Sequence, residues 1–392
     1  MKSKKSILLI TSRLPYPPIG GDRLKNYWLL NILSKHYRIH LVSITENQVP
    51  DQFYKWVMEI GITYKIFPKR KIEFYKSAFH FLFNKLPIQV NYYYFRDVQR
   101  YINRICKNYD LIFSTLMRTA RYVMDKKKPK ILDMADSIGL NYKKAKMKTT
   151  SIKWKFIHWI ESKRVLNYEK FCISNFDKTL FFNKKEMEYF NNPDKTEWMP
   201  HGVNEELFTY DKVDEKYKNW VVFFGKMDYQ PNQDAVIWFF ENVLPCLNEN
   251  IIFGIVGAYP TNQILRMKKK YKNVEITGFV NDPYVILKSS LCMVVPMHTG
   301  GGIQNKVLEA MALGTINIIT SLAAEAIAGA QNGKEFLIID EPIRIAQTIN
   351  DIYVNSNKYE YLKANSKEFI KNNFTWSIYE SKILAITAEM LK

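Results

Sequence analysis

Short apolar runs that end in a glycine turn and lead into a helical pattern recur through the second half of this 392-residue chain. Four of these turns contain Gly225, Gly257, Gly278 and Gly300. Continuous apolar strands are typical of parallel sheets, because helices cover both faces of such sheets. The pattern therefore predicts an α/β fold. It also places the four turns along the carboxyl edge of one sheet, where open α/β sheets bind ligands.

The first half of the chain begins in the same way. An apolar run over residues 6–11 precedes a loop with Gly20 and Gly21, a predicted helix over 24–35 and a second predicted strand over 36–44. This order predicts a strand–loop–helix–strand unit whose loop faces a ligand. The loop lacks the GxGxxG spacing of dinucleotide oxidoreductases, which argues against that class of enzyme.

Three side chains of the first half are candidates for contact with phosphate or acceptor oxygens. Arg13 lies in the loop after the first strand, and its alternative role is that of a solvated surface arginine. Asp133 and Asp136 follow a predicted strand that starts at Lys130, where they could bind acceptor hydroxyls or assist proton transfer. For Asp136 the alternative is a cap on the following helix.

Another predicted strand, over 175–182, is expected to be the last of the first domain.

The length suits two domains, and the composition changes between them. Residues 1–200 contain 38 Lys and Arg against 17 Asp and Glu, whereas the whole chain carries a net charge of +19, so the excess positive charge lies in the first part. We expect domains over 1–195 and 196–374, with residues from about 375 to 392 completing the first. A basic first domain suits an anionic membrane surface. A role in nucleic-acid binding is disfavoured, because only the charge supports it.

Four widely spaced cysteines form no CxxC pair, so neither a zinc site nor a disulfide framework is expected. No apolar run reaches the roughly 18 residues of a transmembrane helix. These features predict a cytoplasmic protein. The basic first domain adds the expectation of a peripheral position on the inner face of the membrane.

Two segments of the first half combine aromatic and basic residues. Residues 71–105 are rich in both, which suits a membrane interface, a lipid-bearing acceptor, stacking on bases, or simply the packed side of a helix. A long basic helix is predicted over 143–170, with Trp154 and His158 one turn apart. It could anchor the protein to anionic lipids or pack as a solvated helix on the sheet.

The stretch from Thr299 to Ala312 is the strongest candidate for a ligand site. Its three consecutive glycines, Gly300–Gly302, lie between a predicted strand and a helix, where backbone N–H groups and the helix dipole suit a phosphate. Lys306 and Glu309 share one face of that helix. A cation for phosphate and a carboxylate for a sugar hydroxyl describe a nucleotide-sugar site. The alternative is a glycine-rich turn beside an ordinary surface lysine and glutamate.

With these motifs in place, the chain resembles the family 4 glycosyltransferases of GT-B fold, in particular bacterial exopolysaccharide and surface-glycan sugar transferases. Four segments carry the resemblance: 13–23, 132–136, 224–232 and 301–312. The resemblance implies two Rossmann-like doubly wound domains with an interdomain cleft and a C-terminal helix that crosses back to the N-terminal domain. It also implies that the first domain binds the acceptor and the second binds a nucleotide-sugar donor.

The resemblance assigns roles to residues of the second domain. Glu309 is expected to bind the ribose, and Lys226 the diphosphate. The family has a sugar-contacting glutamate where this chain has Gly301, and a second basic residue where it has Pro231. The N–H groups of Gly301, Gly302 and Ile303 are expected to replace that glutamate, with Asn305 or Lys306 reaching the diphosphate. Gly278 and Phe279 are expected to hold the base, Gly225 and Gly300 to bind the donor, and Gly20, Gly21 and His201 to meet the diphosphate or acceptor. Lys226, Lys306 and Glu309 are the expected catalytic residues.

The implied reaction is transfer of a hexose from a nucleoside diphosphate sugar, with retained anomeric configuration, to a glycan or lipid-linked acceptor. No metal or other cofactor is expected. Two alternatives stay open: a UDP-sugar 2-epimerase of the same fold, and a non-catalytic nucleotide-sugar-binding subunit of a glycan assembly complex.

Overall fold

The computed structural model describes residues 4–148, 152–300 and 302–392, without the side chains of residues 145–160. Contacts divide the chain into two units. One contains Met1–Met199 with Tyr379–Lys392, and the other contains Pro200–Ile378. The sequence-based division falls after residue 195, four residues earlier.

The first unit is built on a parallel sheet of seven strands. The strands are β1 (Ser6–Thr11), β2 (Arg38–Thr45), β3 (Thr63–Pro68), β4 (Leu111–Thr115), β5 (Lys130–Ala135), β6 (Lys178–Phe181) and β7 (Thr196–Trp198). Their order is β3-β2-β1-β4-β5-β6-β7, so the direction of winding reverses between β1 and β4. Most strand side chains are fully buried, as expected for a sheet covered on both faces. The strand predicted to be the last of this domain is β6, and that prediction is wrong because β7 pairs with β6 beyond it.

Nine helices accompany this sheet in the described part of the chain before residue 199. They are α1 (Gly21–His36), α2 (Asp51–Glu59), α3 (Lys71–Ala78), α4 (Ile88–Tyr92), α5 (Arg96–Ile105), α6 (Leu116–Ala120), α7 (Ile138–Lys148), α8 (Ile152–Asn175) and α9 (Lys184–Phe190).

The single long helix predicted over 143–170 is wrong, because α7 and α8 pack against each other, which two parts of one continuous helix cannot do. The two helices pack closely where a Cβ on Gly139 would lie 2.6 Å from Leu166 Cγ. The predicted stacking of Trp154 on His158 concerns side chains outside the described residues.

The second unit has a parallel sheet of six strands, β8 (Trp220–Phe224), β9 (Ile252–Val256), β10 (Val274–Gly278), β11 (Cys292–Val295), β12 (Asn317–Ile319) and β13 (Leu337–Ile338). Their order is β10-β9-β8-β11-β12-β13, which reverses between β8 and β11. The helices are α10 (Gln230–Asn242), α11 (Asn262–Lys270), α12 (Tyr284–Ser289), α13 (Asn305–Leu313), α14 (Ser321–Ala324), α15 (Pro342–Val354), α16 (Glu360–Asn373) and α17 (Trp376–Met390). A 3-10 turn at Ser356–Tyr359 separates α15 from α16.

The two sheets confirm the predicted class of two Rossmann-like parallel-sheet units. The C-terminal residues Tyr379–Lys392 belong to the first unit. Among the described residues, no helix combines the length and apolarity that a membrane crossing would need.

Candidate functional site

Two loops of the second unit meet where the winding of its sheet reverses. One loop follows β8 and the other follows β11, the two neighbouring strands of the reversal. A Cβ on Gly300 would lie 3.1 Å from Pro231 Cβ, and Thr299 Oγ1 donates to Asp234 Oδ2 at 3.5 Å. The loop after β11 therefore packs on the first turn of α10. Crevices at such reversal points are where doubly wound sheets bind their ligands.

The floor of this crevice is made of backbone. Gly225 and Gly257 both have φ of +152°, and a Cβ on Gly257 would overlap the carbonyl oxygen of Gly225. The Gly225 N–H donates to Val256 O at 3.0 Å, and the Met227 N–H donates to Ala258 O at 2.9 Å. Only glycine at position 257 lets the turns after β8 and β9 approach this closely.

Lys306 connects the start of α13 to the turn after β8. Its Nζ donates to Asn232 Oδ1 at 2.6 Å and lies 4.4 Å from the centre of the Phe223 ring. Asn232 Nδ2 in turn donates to Lys226 O at 2.8 Å. A Cβ on Gly225 would lie 3.2 Å from Lys306 Nζ. The amide of Asn232 therefore holds the ammonium group directly beside the glycine floor.

Asn232 is a site residue that the sequence reasoning missed. It lies within the motif at 224–232 but was given no role. Its side chain is buried in the first turn of α10. A buried amide just inside a helix start, next to a strand–glycine turn, was the available signal, because buried polar groups need partners.

The electrostatics of the helix face agree with a ligand site. Burial lowers the pKa of Lys306 to about 7, against the attraction of Glu309. Burial likewise raises the pKa of Glu309 to about 7, against the attraction of Lys306. Tyr284 on α12 has its pKa raised, chiefly by burial and next by Glu309. Both charged groups are only part-exposed, so they are not the ordinary surface pair of the alternative interpretation.

The remaining donor candidates lie along the same edge of the second sheet. Gly278 ends β10 with φ of +68°, and the following Phe279 is 76% exposed. Gly302 has φ of +83°, Ile303 follows it, and Asn305 is the first residue of α13. The side chain of Lys226 is exposed. Gly301, predicted as a donor contact, lies outside the described residues.

The predicted acceptor residues of the first unit are not all available to a ligand. Asp133 is 1% exposed and forms an ion pair with Lys25, itself 4% exposed. Burial raises the pKa of Asp136 to about 6. Its alternative role as a helix cap is wrong, because Ser137 Oγ accepts from the Leu140 N–H at 3.1 Å. Asp133 is thus buried and Asp136 half-buried, and the role of both toward an acceptor stays a prediction.

His201 belongs to the second unit and is also enclosed. It is 2% exposed, its Nδ1 lies 2.8 Å from Gly202 O, and its ring centre lies 5.0 Å from that of Trp376. Its contact with a diphosphate or acceptor stays a prediction.

The loop after β1, unlike the enclosed residues above, is exposed in part and borders a cavity of the first unit. Gly20 and Gly21 precede and begin α1, and Arg13 is exposed. Arg13 Nε donates to Tyr93 Oη at 3.2 Å, and its Nη1 lies 3.4 Å from Asp22 Oδ2. A cavity of about 200 Å³ lies at the carboxyl ends of β1 and β2 and is lined by Arg13, Arg23, Glu46, Phe74 and Tyr93 among others.

Within the described ranges, no group of three His, Cys, Asp or Glu side chains is placed to hold a metal ion.

Comparisons with known proteins identify the second unit. Residues 218–355 match the family Glycosyl transferases group 1, and this segment contains Lys226, Asn232, Lys306 and Glu309. An uncharacterised glycosyltransferase from Methanocaldococcus jannaschii is 27% identical over 175 residues, covering 42% of this chain and 44% of that protein. The match therefore spans less than half the length of this relative.

Solved structures resemble the whole chain in fold. Anabaena HepE in complex with UDP has a TM-score of 0.68 and 12% identity, covering 98% of this chain and 100% of that one. Sucrose-phosphate synthase from Thermosynechococcus elongatus has a TM-score of 0.69 and 14% identity, covering 98% and 99%. A glycosyltransferase from Rickettsia africae has a TM-score of 0.64 and 14% identity, covering 100% and 99%. Residues 218–355 thus match the glycosyl transferases group 1 family, and the chain shares with these solved structures the GT-B fold of two Rossmann-like units.

Proposed function

We propose that this chain is a retaining glycosyltransferase of family 4 that moves a hexose from a nucleoside diphosphate sugar to a glycan or lipid-linked acceptor in cell-surface polysaccharide biosynthesis. One observation carries the proposal. Within the matched family segment, Asn232 holds the Lys306 ammonium group beside the glycine floor, at the reversal point of the second sheet.

The proposal that the second unit binds the donor follows from the positive groups at its site. The departing diphosphate gains negative charge in the transition state, so catalysis here is stabilisation of that charge. Lys306, the N–H groups of the loop after β11 and the positive end of the α13 dipole would supply it. Lys226 on the exposed side of the floor adds a second cation. Glu309, one turn further along α13, would accept hydrogen bonds from the ribose. The UDP bound by HepE supports a nucleotide of this type.

The acceptor half rests on the first unit. Guanidinium groups bind phosphate and carboxylate oxygens strongly, and aromatic rings offer flat surfaces to sugars. The cavity beside Arg13, Arg23, Phe74 and Tyr93 combines both. We propose that the acceptor binds there and that the protein works in the cytoplasm, at the inner face of the membrane. We expect no metal or other cofactor.

A screen of nucleotide sugars tests the proposal. We expect one of the UDP-, GDP- or dTDP-sugars to raise the thermal unfolding midpoint of the purified chain. With the matching acceptor, the chain should release the nucleoside diphosphate, and Glu309→Ala should abolish that release. If no nucleotide sugar stabilises the fold, the proposal fails.

The same assay separates the competing functions. A product that is the C2 epimer of the donor sugar, formed without acceptor, would identify a 2-epimerase. Tight binding without release of nucleoside diphosphate, over a broad set of acceptors, would identify a binding subunit. Either result would overturn the proposed transferase function.

A further inference from the structure

The surface of the first unit exposes an unusual group of large apolar side chains just after β3. Five of them lie between residues 72 and 83, where Ile72 is 53%, Tyr75 50%, Phe79 63%, Leu82 62% and Phe83 87% exposed. No stretch of similar length elsewhere in the described chain exposes so many. Single exposed apolar residues are normal on soluble proteins, whereas contiguous groups mark interaction surfaces.

The outward direction of these side chains is fixed by the packing of the opposite face. Phe74 is fully buried, and its ring centre lies 5.0 Å from that of Phe95 and 5.5 Å from that of Tyr93. Ser77 Oγ donates to Tyr94 O at 2.6 Å. Because α3 is held by its inner face, its outer residues Ile72 and Tyr75 point away from the core. The 3-10 turn Phe79–Leu82 and the following Phe83 continue this apolar stripe beyond the end of α3.

Exposed cations surround this apolar stripe. Arg70, Lys71, Lys76 and Lys85 are all exposed. The one acidic residue among residues 69–85, Glu73, accepts from the Arg70 N–H at 2.8 Å and lies 3.7 Å from Arg70 Nε. Its charge is therefore offset locally. The basic helix α8 also reaches this surface, since Arg164 Nη1 donates to Phe81 O at 3.3 Å.

We propose that residues 70–85, the 70–85 surface, dock on an anionic phospholipid bilayer. The apolar stripe enters the boundary between headgroups and acyl chains, while the surrounding Lys and Arg side chains meet lipid phosphates. An apolar face of aromatic and aliphatic residues bordered by cations is the pattern of interfacial helices. The positive charge commits the surface to anionic lipid, because each cation near such a membrane adds attraction that salt screens.

The position of the surface links it to the cavity of the first unit. Phe74, on the inner face of α3, lines that cavity. Docking of the outer face would therefore bring the cavity to within about one helix diameter, roughly 10 Å, of the lipid headgroups. In the proposed function, this distance lets a lipid-linked acceptor reach the cavity without leaving the bilayer.

Co-sedimentation of the full chain with vesicles tests the docking. We expect strong binding to phosphatidylcholine vesicles that contain phosphatidylglycerol, weak binding to phosphatidylcholine alone, and loss of the difference at high salt. Phe79→Ser with Phe83→Ser should weaken binding to the anionic vesicles by about 100-fold, since each buried ring contributes about tenfold or more. Lys71→Glu with Lys76→Glu should remove the preference for anionic vesicles.

Phe171→Ser is the matched control. Phe171 is 52% exposed on α8, seven residues before β6 begins at the amino edge of the sheet, far from the carboxyl edge at which α3 starts. We expect this variant to bind vesicles within twofold of the wild type. Unfolding midpoints with and without UDP, measured in the absence of vesicles, show that each variant is folded. They also keep a failure of nucleotide binding separate from a failure of docking.

Three results would overturn the docking. The wild type could bind neither kind of vesicle, or both equally. The double serine variant could bind as well as the wild type. Sedimentation velocity could show a dimer that the double serine variant dissociates, which would assign the surface to a second copy of the chain.

Discussion

Lys306 carries a charge that depends on its surroundings near neutral pH. In the site described above, burial lowers its pKa to about 7. A bound diphosphate would favour the charged form and raise the pKa toward its ordinary value. Nucleotide binding would then take up a proton above pH 7 but not below it, so the contribution of Lys306 is complete at low pH and is lost as the pH rises.

This coupling predicts a pH dependence of nucleotide affinity. Between pH 7 and 9 we expect the affinity for UDP to fall by up to about tenfold per pH unit, as measured by isothermal titration calorimetry. Lys306→Met should bind UDP about 10- to 100-fold more weakly at pH 7, since it loses a charge-assisted hydrogen bond. The variant should also show a flat profile over this range. An unchanged slope in the variant would exclude Lys306 as the source of the dependence.

Asn232 is predicted to act by positioning Lys306. Asn232→Ala removes both the acceptor at 2.6 Å from Lys306 Nζ and the donor to Lys226 O. We expect UDP affinity to fall by about 5- to 30-fold, the value of one or two hydrogen bonds. The matched control is Asn242→Ala near the other end of α10, where Nδ2 donates to Trp238 O at 2.8 Å. Equal losses in both variants would indicate a general effect on α10 instead.

At the scale of elements, the turns after β8 and β9 are the most tightly constrained part of the second unit. Gly257→Ala would force a Cβ onto the Gly225 carbonyl oxygen at a backbone angle that other residues rarely adopt. We expect a loss of about 2 kcal/mol or more, from overpacking and strain together. The thermal unfolding midpoint should fall by about 5 °C or more.

Gly333→Ala is the control for backbone strain alone. Gly333 has φ of +77°, and a Cβ there would have no neighbour within 4 Å. We expect a loss of only about 1 kcal/mol and a shift of about 2–4 °C. Equal shifts for the two variants would show that the close approach of the turns carries no cost of its own.

The elements also show which signals the sequence contains. The strands predicted from continuous apolar runs, such as β1, β8 and β9, are confirmed because both of their faces are buried. β3 was not predicted, since it is an edge strand whose residues are exposed or half-buried and so lacks an apolar run. β7 has three residues, too few for any pattern to emerge.

The site was predictable to the extent that its residues are neighbours in sequence. Lys306 and Glu309 lie one turn apart on a helix, so their shared face could be inferred. Asn232 lies 74 residues before Lys306, and only the fold brings the two together. Asp133 was predicted as a site residue because it is a carboxylate near the end of a strand. Its pairing with Lys25 from α1 depends on tertiary packing, which no local pattern reports.

At the scale of the whole molecule, the two units share one winding order but differ in what their reversal points present. The second unit presents backbone and the half-buried cation of Lys306, which suits the constant part of a nucleotide. The first presents arginines and aromatic rings beside a cavity, which suits a more variable partner. The excess positive charge before residue 200 follows the same division.

This division predicts where a nucleotide protects the chain from hydrogen exchange. With UDP at about 100 times its dissociation constant, amides of the bound site should exchange up to about 100-fold more slowly. We expect the strongest protection at residues 225–232, 257–258 and 298–309. Protection limited to residues 12–14 and 45–47 of the first unit would place the nucleotide in the wrong unit and contradict the donor assignment.

The glycine floor has a consequence for how such an enzyme changes its specificity. A surface made of backbone carbonyl and amide groups presents the same chemistry whichever side chains surround it. Substitution of those side chains therefore does not change the floor itself. Only the side chains at the rim of the floor can vary, such as the exposed Phe279 and the half-buried Ile303. Directed evolution toward another donor should therefore accumulate substitutions at the rim and leave residues 225 and 257 unchanged through every round.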